Sequence, residues 1–119
     1  MLLNVRRKVY APPPRRFYTA EVVVDPELAT LMTITGCRKW IQHYLQRHLG
    51  GDWGIHQGSL DIVPLMNERS VAAGGIITSR FHLWDKDNGE VVLLGIQTEN
   101  HPNAQERNST ALFLQCIHP

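Results

Sequence analysis

Residues 36–49 constrain the fold of this chain more than any other segment, because their apolar side chains recur at helical spacing. Steps of three and four residues place such side chains on one stripe of an α-helix. Thr35 is predicted to cap the start of this helix, and Gly50-Gly51 to end it in the left-handed conformation. The residues predicted to share the apolar stripe are Cys37, Trp40, Ile41, Tyr44, Leu45 and His48.

Two further helices are predicted from their starting signals. Residues 26–32 follow Asp25, which is a good N-cap, and they predict a short helix. Residues 64–73 predict a longer helix, because Pro64 suits the first helical position. The helical part of the chain therefore lies in its middle.

Four segments predict strands, because they are rich in β-branched and aromatic residues. Residues 17–24 come first, and residues 76–84 and 90–98 follow as a hairpin around Asn88-Gly89. The apolar run within 90–98 predicts a central strand buried on both faces, and residues 109–117 predict the last strand. We expect an α+β fold in which two or three helices pack on a small antiparallel sheet of three to four strands.

The basic residues are concentrated at the start of the chain. Five of the 12 Lys and Arg residues fall in residues 1–16 with no acid, which leaves seven against 11 acidic residues in the remainder. Pro12-Pro13-Pro14 favours an extended backbone there. We interpret 1–16 as a basic, Pro-rich arm attached to a single domain at 17–119. Such an arm can contact nucleic acid or an acidic protein, or be solvated and idle.

Several classes of protein are not indicated by the sequence. No apolar run is long enough to span a membrane, and no secretory signal is apparent, so we expect a cytoplasmic location. Cys37 and Cys116 are too few and too far apart for a disulfide framework or a zinc site. The histidines match no known metal-ligand spacing, and no phosphate loop or dinucleotide fingerprint occurs. We expect no metal and no cofactor.

His48 and Asp52 are the first candidates for catalysis. His48 lies near the C-terminus of its helix, and Asp52 follows the glycine break, from which it can fold back. An imidazole oriented by a carboxylate is a general acid–base pair. The alternative is structural: His48 caps the helix, Asp52 anchors the turn and Trp53 fills the core.

Glu99 and Arg107 are the second pair of candidates. Glu99 ends the predicted central strand, while Arg107 and Thr110 lie across the following loop. A carboxylate base beside an arginine suits phosphodiester cleavage, in which charge develops on phosphate oxygens. The alternative is an ion pair that pins the loop. Arg80 and His82 alternate on the hairpin and are expected to face solvent.

The chain also resembles a family of small uncharacterised proteins carried by plasmids, integrative elements and phages. The resemblance runs from about residue 33 to residue 117, and its most specific part is the Arg47-His48-x-x-Gly51-Asp52-Trp53-Gly54 motif. The chain departs from the family in the longer spacing between Glu99 and Arg107. The resemblance implies a mobile-element setting and no particular chemistry.

Three functions remain open at this point. The first is binding to a host protein or ribonucleoprotein complex, such as a CRISPR or restriction-type defence nuclease, as an inhibitor or modulator. The second is a metal-independent ribonuclease or toxin that uses His48 and Glu99. The third is nucleic-acid binding through the arm. The predicted binding residues are Arg6, Arg7, Lys8, Arg15, Arg16, Arg47, Arg80 and Arg107.

Overall fold

The computed structural model describes residues 14–55, 62–103, 106–107 and 109–117. The first 13 residues of the predicted arm, with Arg6, Arg7 and Lys8, lie outside the described residues. The elements within them confirm the α+β class. In chain order they are β1 (Glu21–Val24), α1 (Pro26–Thr35), α2 (Arg38–Leu49), α3 (Ile62–Ala73), β2 (Ile77–Asp85), β3 (Val91–Thr98) and β4 (Ser109–Ile117).

The four strands form one sheet in the order β1-β4-β3-β2. β2, β3 and β4 are an antiparallel meander, and the central position predicted for the apolar strand is confirmed, since Val92 to Ile96 are all buried. β1 pairs parallel to β4, with Val22 opposite Thr110. The predicted antiparallel meander is therefore confirmed, and β1 adds one parallel pair to it, so the sheet is mixed. All three helices and two strands separate β1 from β4, and a connection of that length permits parallel pairing.

Local capping explains the limits of α1. Asp25 is its N-cap and accepts a hydrogen bond from the Glu27 amide, as predicted. The helix ends at Gly36, whose φ of 69° is left-handed. Thr35 is the last residue of α1 and donates to the Leu31 carbonyl, so the prediction that it caps α2 is wrong.

α2 matches its predicted extent closely but not its caps. Cys37 precedes it and makes no side-chain capping bond. At its end only Gly51 is left-handed, with φ 92°, while Gly50 has an ordinary φ of −87°. α3 begins at Ile62, so Pro64 occupies its third position rather than its first.

α1 and α2 pack on one face of the sheet. The main core joins these helices to β2, β3 and β4, and a second core lies where the end of α2 meets the start of β2. The second core consists of Phe17, Leu49, Trp53 and Ile77. The main core consists of Leu28, Ile41, Phe81, Leu94, Ile96 and Leu112.

The outer edge of β2 is closed by contacts from other segments. The Asn67 side chain donates to the Thr78 carbonyl at 2.7 Å and accepts from the Thr78 amide at 3.0 Å. Two residues on, the backbone of Arg80 bonds to the segment 53–55. These contacts occupy polar groups that would otherwise pair with another strand. None of the helices in the described part of the chain is long and apolar enough to cross a membrane.

Candidate functional site

His48 lies at the centre of a fully buried polar cluster. It is on the inner face of α2, is 0% exposed, and reaches β2 and β3 with its two ring nitrogens. Nδ1 lies 2.5 Å from Ser79 Oγ, and Nε2 lies 2.8 Å from Thr98 Oγ1. Both partners are also fully buried. The imidazole therefore connects the helical layer to two strands of the sheet.

A row of hydroxyl groups continues from this imidazole. Thr98 Oγ1 lies 2.7 Å from Thr110 Oγ1, which donates to Thr19 Oγ1 at 2.9 Å. Thr19 in turn donates to the Glu21 carbonyl at 3.2 Å. We call the row formed by Ser79, His48, Thr98, Thr110 and Thr19 the hydroxyl–imidazole row.

The end of this row determines the direction of every bond in it. A carbonyl only accepts, so the Thr19 proton points to Glu21 and the Thr110 proton points to Thr19. Thr98 must then donate to Thr110. Having used its one proton, Thr98 accepts from the Nε2–H of His48. In a neutral imidazole Nδ1 then has no proton and accepts from the Ser79 hydroxyl, which is the Nε2–H tautomer of His48.

The electrostatics of His48 agree with this assignment. Burial lowers the pKa of His48 to about 3, because desolvation penalises the imidazolium. A general base must come within hydrogen-bonding reach of the proton that it removes. His48 has no solvent-exposed surface and both ring nitrogens have partners, so the site supports a structural role for this residue.

Asp52 does not pair with His48, so the predicted acid–base pair is wrong. The Arg47 Nε donates to Asp52 Oδ2 at 2.7 Å, and the Gly54 amide donates to Oδ1 at 3.0 Å. The reversal at Gly50-Gly51 brings the Asp52 amide to the Arg47 carbonyl, at 2.8 Å. Asp52 therefore lies on the outer side of the helix end, while His48 faces inward.

The rest of the Gly-Asp-Trp-Gly motif also has a structural explanation. Trp53 is buried beside Phe17 and donates from Nε1 to Glu68 at 3.2 Å. Gly54 has a left-handed φ of 73°, and a Cβ there would lie 1.9 Å from the Arg80 carbonyl oxygen. The residues of this motif thus hold the end of α2 against the edge of β2.

Glu99 and Arg107 have opposite surroundings. Glu99 is exposed just beyond β3, whereas Arg107 is fully buried and donates to the Ser70 carbonyl. The Arg107 guanidinium lies 5.4 Å from the centre of the Phe17 ring, and burial lowers the pKa of Arg107. Among the described residues no hydrogen bond or ion pair joins Glu99 to Arg107. Thr110 belongs to the hydroxyl–imidazole row.

The structure describes five of the arginines predicted to bind a partner, and they differ in exposure and in the contacts they already make. Arg15 is exposed. Arg16 makes a two-pronged ion pair with Glu68, at 2.7 and 2.8 Å. Arg47 is held by Asp52. Arg80 is half-buried, and its Nε has no hydrogen-bond partner among the residues described.

Sequence reasoning missed the concave surface between α1, α2 and the end of β2. We call it the tryptophan groove. It has a volume of about 400 Å³ and is lined mainly by apolar side chains. Trp40 is 65% exposed, which corrects the expectation that it lies on the buried stripe of α2, and Trp84 is 38% exposed. The lining residues are Leu31, Thr35, Cys37, Trp40, Tyr44, His82, Leu83 and Trp84.

A local irregularity at the end of β2 shapes this groove. The register of β2 against β3 shifts between His82 and Trp84, so Leu83 is an extra residue in the strand. Such a bulge redirects the side chains next to it. The Tyr44 hydroxyl donates to the His82 carbonyl at 3.2 Å, which ties α2 to the bulge. The sequence places one Trp on a helix and another near a strand end, but it indicates neither the exposure of Trp40 nor the proximity of the two.

No family model, curated protein or solved structure matches this chain. The described residues contain no group of three or more His, Cys, Asp or Glu side chains placed to hold a metal ion.

Proposed function

We propose that this chain is a mobile-element accessory protein that acts by binding. Its target is a host protein or ribonucleoprotein complex, such as a defence nuclease, which it inhibits or modulates. The tryptophan groove is the observation that carries the proposal. The mobile-element setting comes from the family resemblance alone.

The groove has the composition of a protein-binding surface. Tryptophan and tyrosine are the residues most often found at the energetic centre of protein interfaces. Trp40, Tyr44 and Trp84 line one concavity, and the first is largely exposed. A tryptophan that is 65% exposed loses the stabilisation that burial would supply. A partner that covers Trp40 would recover it.

The ribonuclease alternative receives less support from the geometry. It requires His48 and Glu99 to share proton transfer at one phosphodiester. His48 is enclosed in the hydroxyl–imidazole row, and Glu99 is exposed beyond the end of β3. A substrate would reach Glu99 but not His48.

Capture from bacterial lysate with matched variants tests the proposal. The full chain is immobilised as wild type, as Trp40→Ala and as Leu65→Ala. Leu65 is 58% exposed on α3 and does not line the groove, so it controls for loss of an exposed apolar side chain. We expect a near-stoichiometric complex on wild type and Leu65→Ala, and retention at least about tenfold weaker on Trp40→Ala, as for an interface hot spot.

Two results would contradict the proposal. The first is a complex that Trp40→Ala retains as well as wild type does. The second is the absence of any complex together with RNA cleavage that survives a chelator and is lost in both His48→Ala and Glu99→Gln. That second result would establish the ribonuclease alternative. Circular dichroism of each variant confirms that it is folded.

A further inference from the structure

A second concave surface lies at the β1 side of the sheet, apart from the tryptophan groove. It has a volume of about 290 Å³ and lies where the end of β1 meets α1 and the first residue of α2. We call it the β1 pocket. Among the described residues that line it, Arg38 has the only charged side chain. The lining residues are Val24, Ala29, Met32, Thr33 and Arg38.

The strand beside this pocket has an open edge. β1 is the last strand in the sheet order, and among the described residues its only partner strand is β4. The opposite edge of the sheet, at β2, is instead covered by Asn67 and the segment 53–55. An exposed strand edge pairs readily with another extended chain.

The ladder between β1 and β4 shows which backbone groups lie on that open edge. In a parallel ladder, one residue of each opposite pair bonds through its own polar groups to the residues that flank its partner. Leu112 is opposite Val24, and its carbonyl accepts from the Asp25 amide at 2.9 Å. Leu112 is thus the bonding residue of this pair, and Val24 directs its amide and carbonyl away from β4. The same alternation applies to Val22, which is opposite Thr110.

The side chains of these two valines lie on the helix side of the sheet, where the pocket is. Val24 packs against the main core, and Val22 shares its face because side chains alternate along a strand. Val22 is 41% exposed. An extended chain paired with β1 would therefore direct alternate side chains to the same side as the β1 pocket.

Arg38 brings an unpaired positive charge to the pocket. It is exposed and makes no ion pair with a described residue. It is the first residue of α2, whose first turn contains no acid, so the helix dipole adds to the preference for an anion. A guanidinium binds a carboxylate through two parallel hydrogen bonds. The pocket thus combines an apolar wall with one site for a carboxylate.

We propose that the open edge of β1 and the β1 pocket bind the extended C-terminal tail of a partner protein. The tail runs parallel to β1 and pairs with Val22 and Val24. Its last side chain enters the pocket, and its terminal carboxylate pairs with Arg38. Strand addition and capture of a terminal carboxylate are both known modes of peptide recognition. The surface is separate from the tryptophan groove, so the inference goes beyond the proposed function and does not depend on it.

A chain terminus fits the pocket better than the other occupants of an open edge. A C-terminal residue carries an apolar side chain and a carboxylate on one Cα atom, and the β1 pocket presents a partner for each. An internal Asp or Glu would leave Val24 and Met32 without an apolar partner. A second copy of β1 would bring Glu21 and Asp25 of both copies to one edge, where like charges repel.

Peptide selection tests the terminal carboxylate. A display library of short random peptides with free C-termini is selected on the immobilised full chain. Enriched peptides are then synthesised with a terminal carboxylate and, as a control, with a terminal amide. We expect an apolar last residue and a loss of affinity of at least about tenfold on amidation. Arg38→Gln should cause a similar loss, whereas Lys39→Gln, which removes a charge outside the pocket lining, should not.

Val22→Pro tests the pairing with β1 separately. It removes an amide that points away from β4, and proline is tolerated at such an edge position. Val22→Thr is the control, because it keeps both the amide and the branched side chain. We expect the selected peptide to bind Val22→Pro at least about tenfold more weakly and Val22→Thr as it binds wild type. Circular dichroism checks that both variants are folded.

Several results would overturn the inference. They are the absence of any peptide that depends on Arg38, equal binding of the carboxylate and amide forms, and equal binding by Val22→Pro. Dimerisation of the wild type in analytical ultracentrifugation, lost in Val22→Pro, would assign the edge to a second copy. Loss of peptide binding in Trp40→Ala would place the peptide in the tryptophan groove and leave the proposed function standing. A host complex indifferent to Trp40, together with a tail peptide that requires Arg38, would refute the proposed function and support this inference.

Discussion

His48 Nε2 lies 2.8 Å from Thr98 Oγ1, and the two groups act as donor and acceptor in that order. The direction follows from the Glu21 carbonyl at the far end of the row, which only accepts. The contact joins α2 to the central strand β3 inside the core. His48 is therefore best understood as a neutral, buried connector between the two layers of the fold.

Thr98→Val tests the energetic role of the hydroxyl–imidazole row. The substitution keeps the shape of the side chain but leaves the Nε2–H of His48 without an acceptor. A buried donor left unsatisfied costs about 1–3 kcal/mol, so we expect the free energy of unfolding to fall by that amount in urea titration. Thr33→Val is the control, because the Thr33 hydroxyl is exposed and bonds only within α1. Equal effects of the two substitutions would contradict this role.

The low pKa of His48 predicts a loss of stability in mild acid. Its pKa is about 3 in the folded chain and ordinarily 6.5, so the unfolded chain binds more protons between these values. The contribution of His48 to the free energy of unfolding has its full value above pH 6.5 and declines as the pH falls toward 3. From pH 7 to pH 5 we expect a loss of about 2 kcal/mol from His48 alone.

Urea titrations at several pH values measure this dependence. The His48→Gln variant should lose the pH dependence of the unfolding free energy that is assigned to His48, whatever the variant's own stability. The His82→Gln variant, which lacks an exposed imidazole, should retain that pH dependence. Nitrogen chemical shifts should show His48 as the neutral Nε2–H tautomer at pH 5. A His48 ring that gains a proton near pH 6 in the folded chain would refute the assignment.

The elements that were predicted correctly are those encoded by neighbouring residues. The apolar spacing within 38–49 and the Asn88-Gly89 turn specify a helix and a hairpin through contacts a few residues apart. The parallel pairing of β1 with β4 joins Val22 to Thr110, and no local pattern encodes it. The environment of His48 is also non-local, since Ser79 and Thr98 lie 31 and 50 residues away.

The pairing of Asp52 with His48 is wrong for a related reason, whereas the alternative, in which Asp52 anchors the turn, agrees with its contact to the Gly54 amide. Its spacing from His48 predicts proximity, but the direction in which the chain leaves α2 decides which residue it meets. The reversal at Gly50-Gly51 turns Asp52 toward Arg47. A periodic pattern locates residues on a helix, whereas the geometry of the turn after it must be seen in the structure.

Asp52→Asn separates the two roles of this side chain. It retains an oxygen to accept from the Gly54 amide and removes the charge that pairs with Arg47. The pair is exposed, so we expect a change in unfolding free energy of about 0–1 kcal/mol. Asp52→Ala removes the turn contact as well and should cost more in the same urea titration. Neither substitution should alter the nitrogen chemical shifts of His48. A change in those shifts would show that Asp52 does interact with His48.

Gly54→Ala, compared with Gly36→Ala, tests the role assigned to the Gly-Asp-Trp-Gly motif. Both glycines are left-handed, with φ 73° and 69°, so both substitutions carry the cost of that conformation, about 1–2 kcal/mol. A Cβ on Gly36 meets nothing within 4 Å, whereas on Gly54 it would lie 1.9 Å from the Arg80 oxygen. Gly54→Ala must therefore move the segment 53–55 away from β2.

That movement would break the bonds that Arg80 makes through its carbonyl to the Ile55 amide and through its amide to the Trp53 carbonyl, at 2.7 and 3.2 Å. At about 1 kcal/mol for each hydrogen bond, we expect Gly54→Ala to lower the free energy of unfolding by about 2 kcal/mol more than Gly36→Ala. Amide hydrogen exchange should accelerate at Ile55 and Arg80 in Gly54→Ala alone. Equal destabilisation by the two variants, with both amides still protected, would show that the motif does not depend on the close approach of Gly54 to β2.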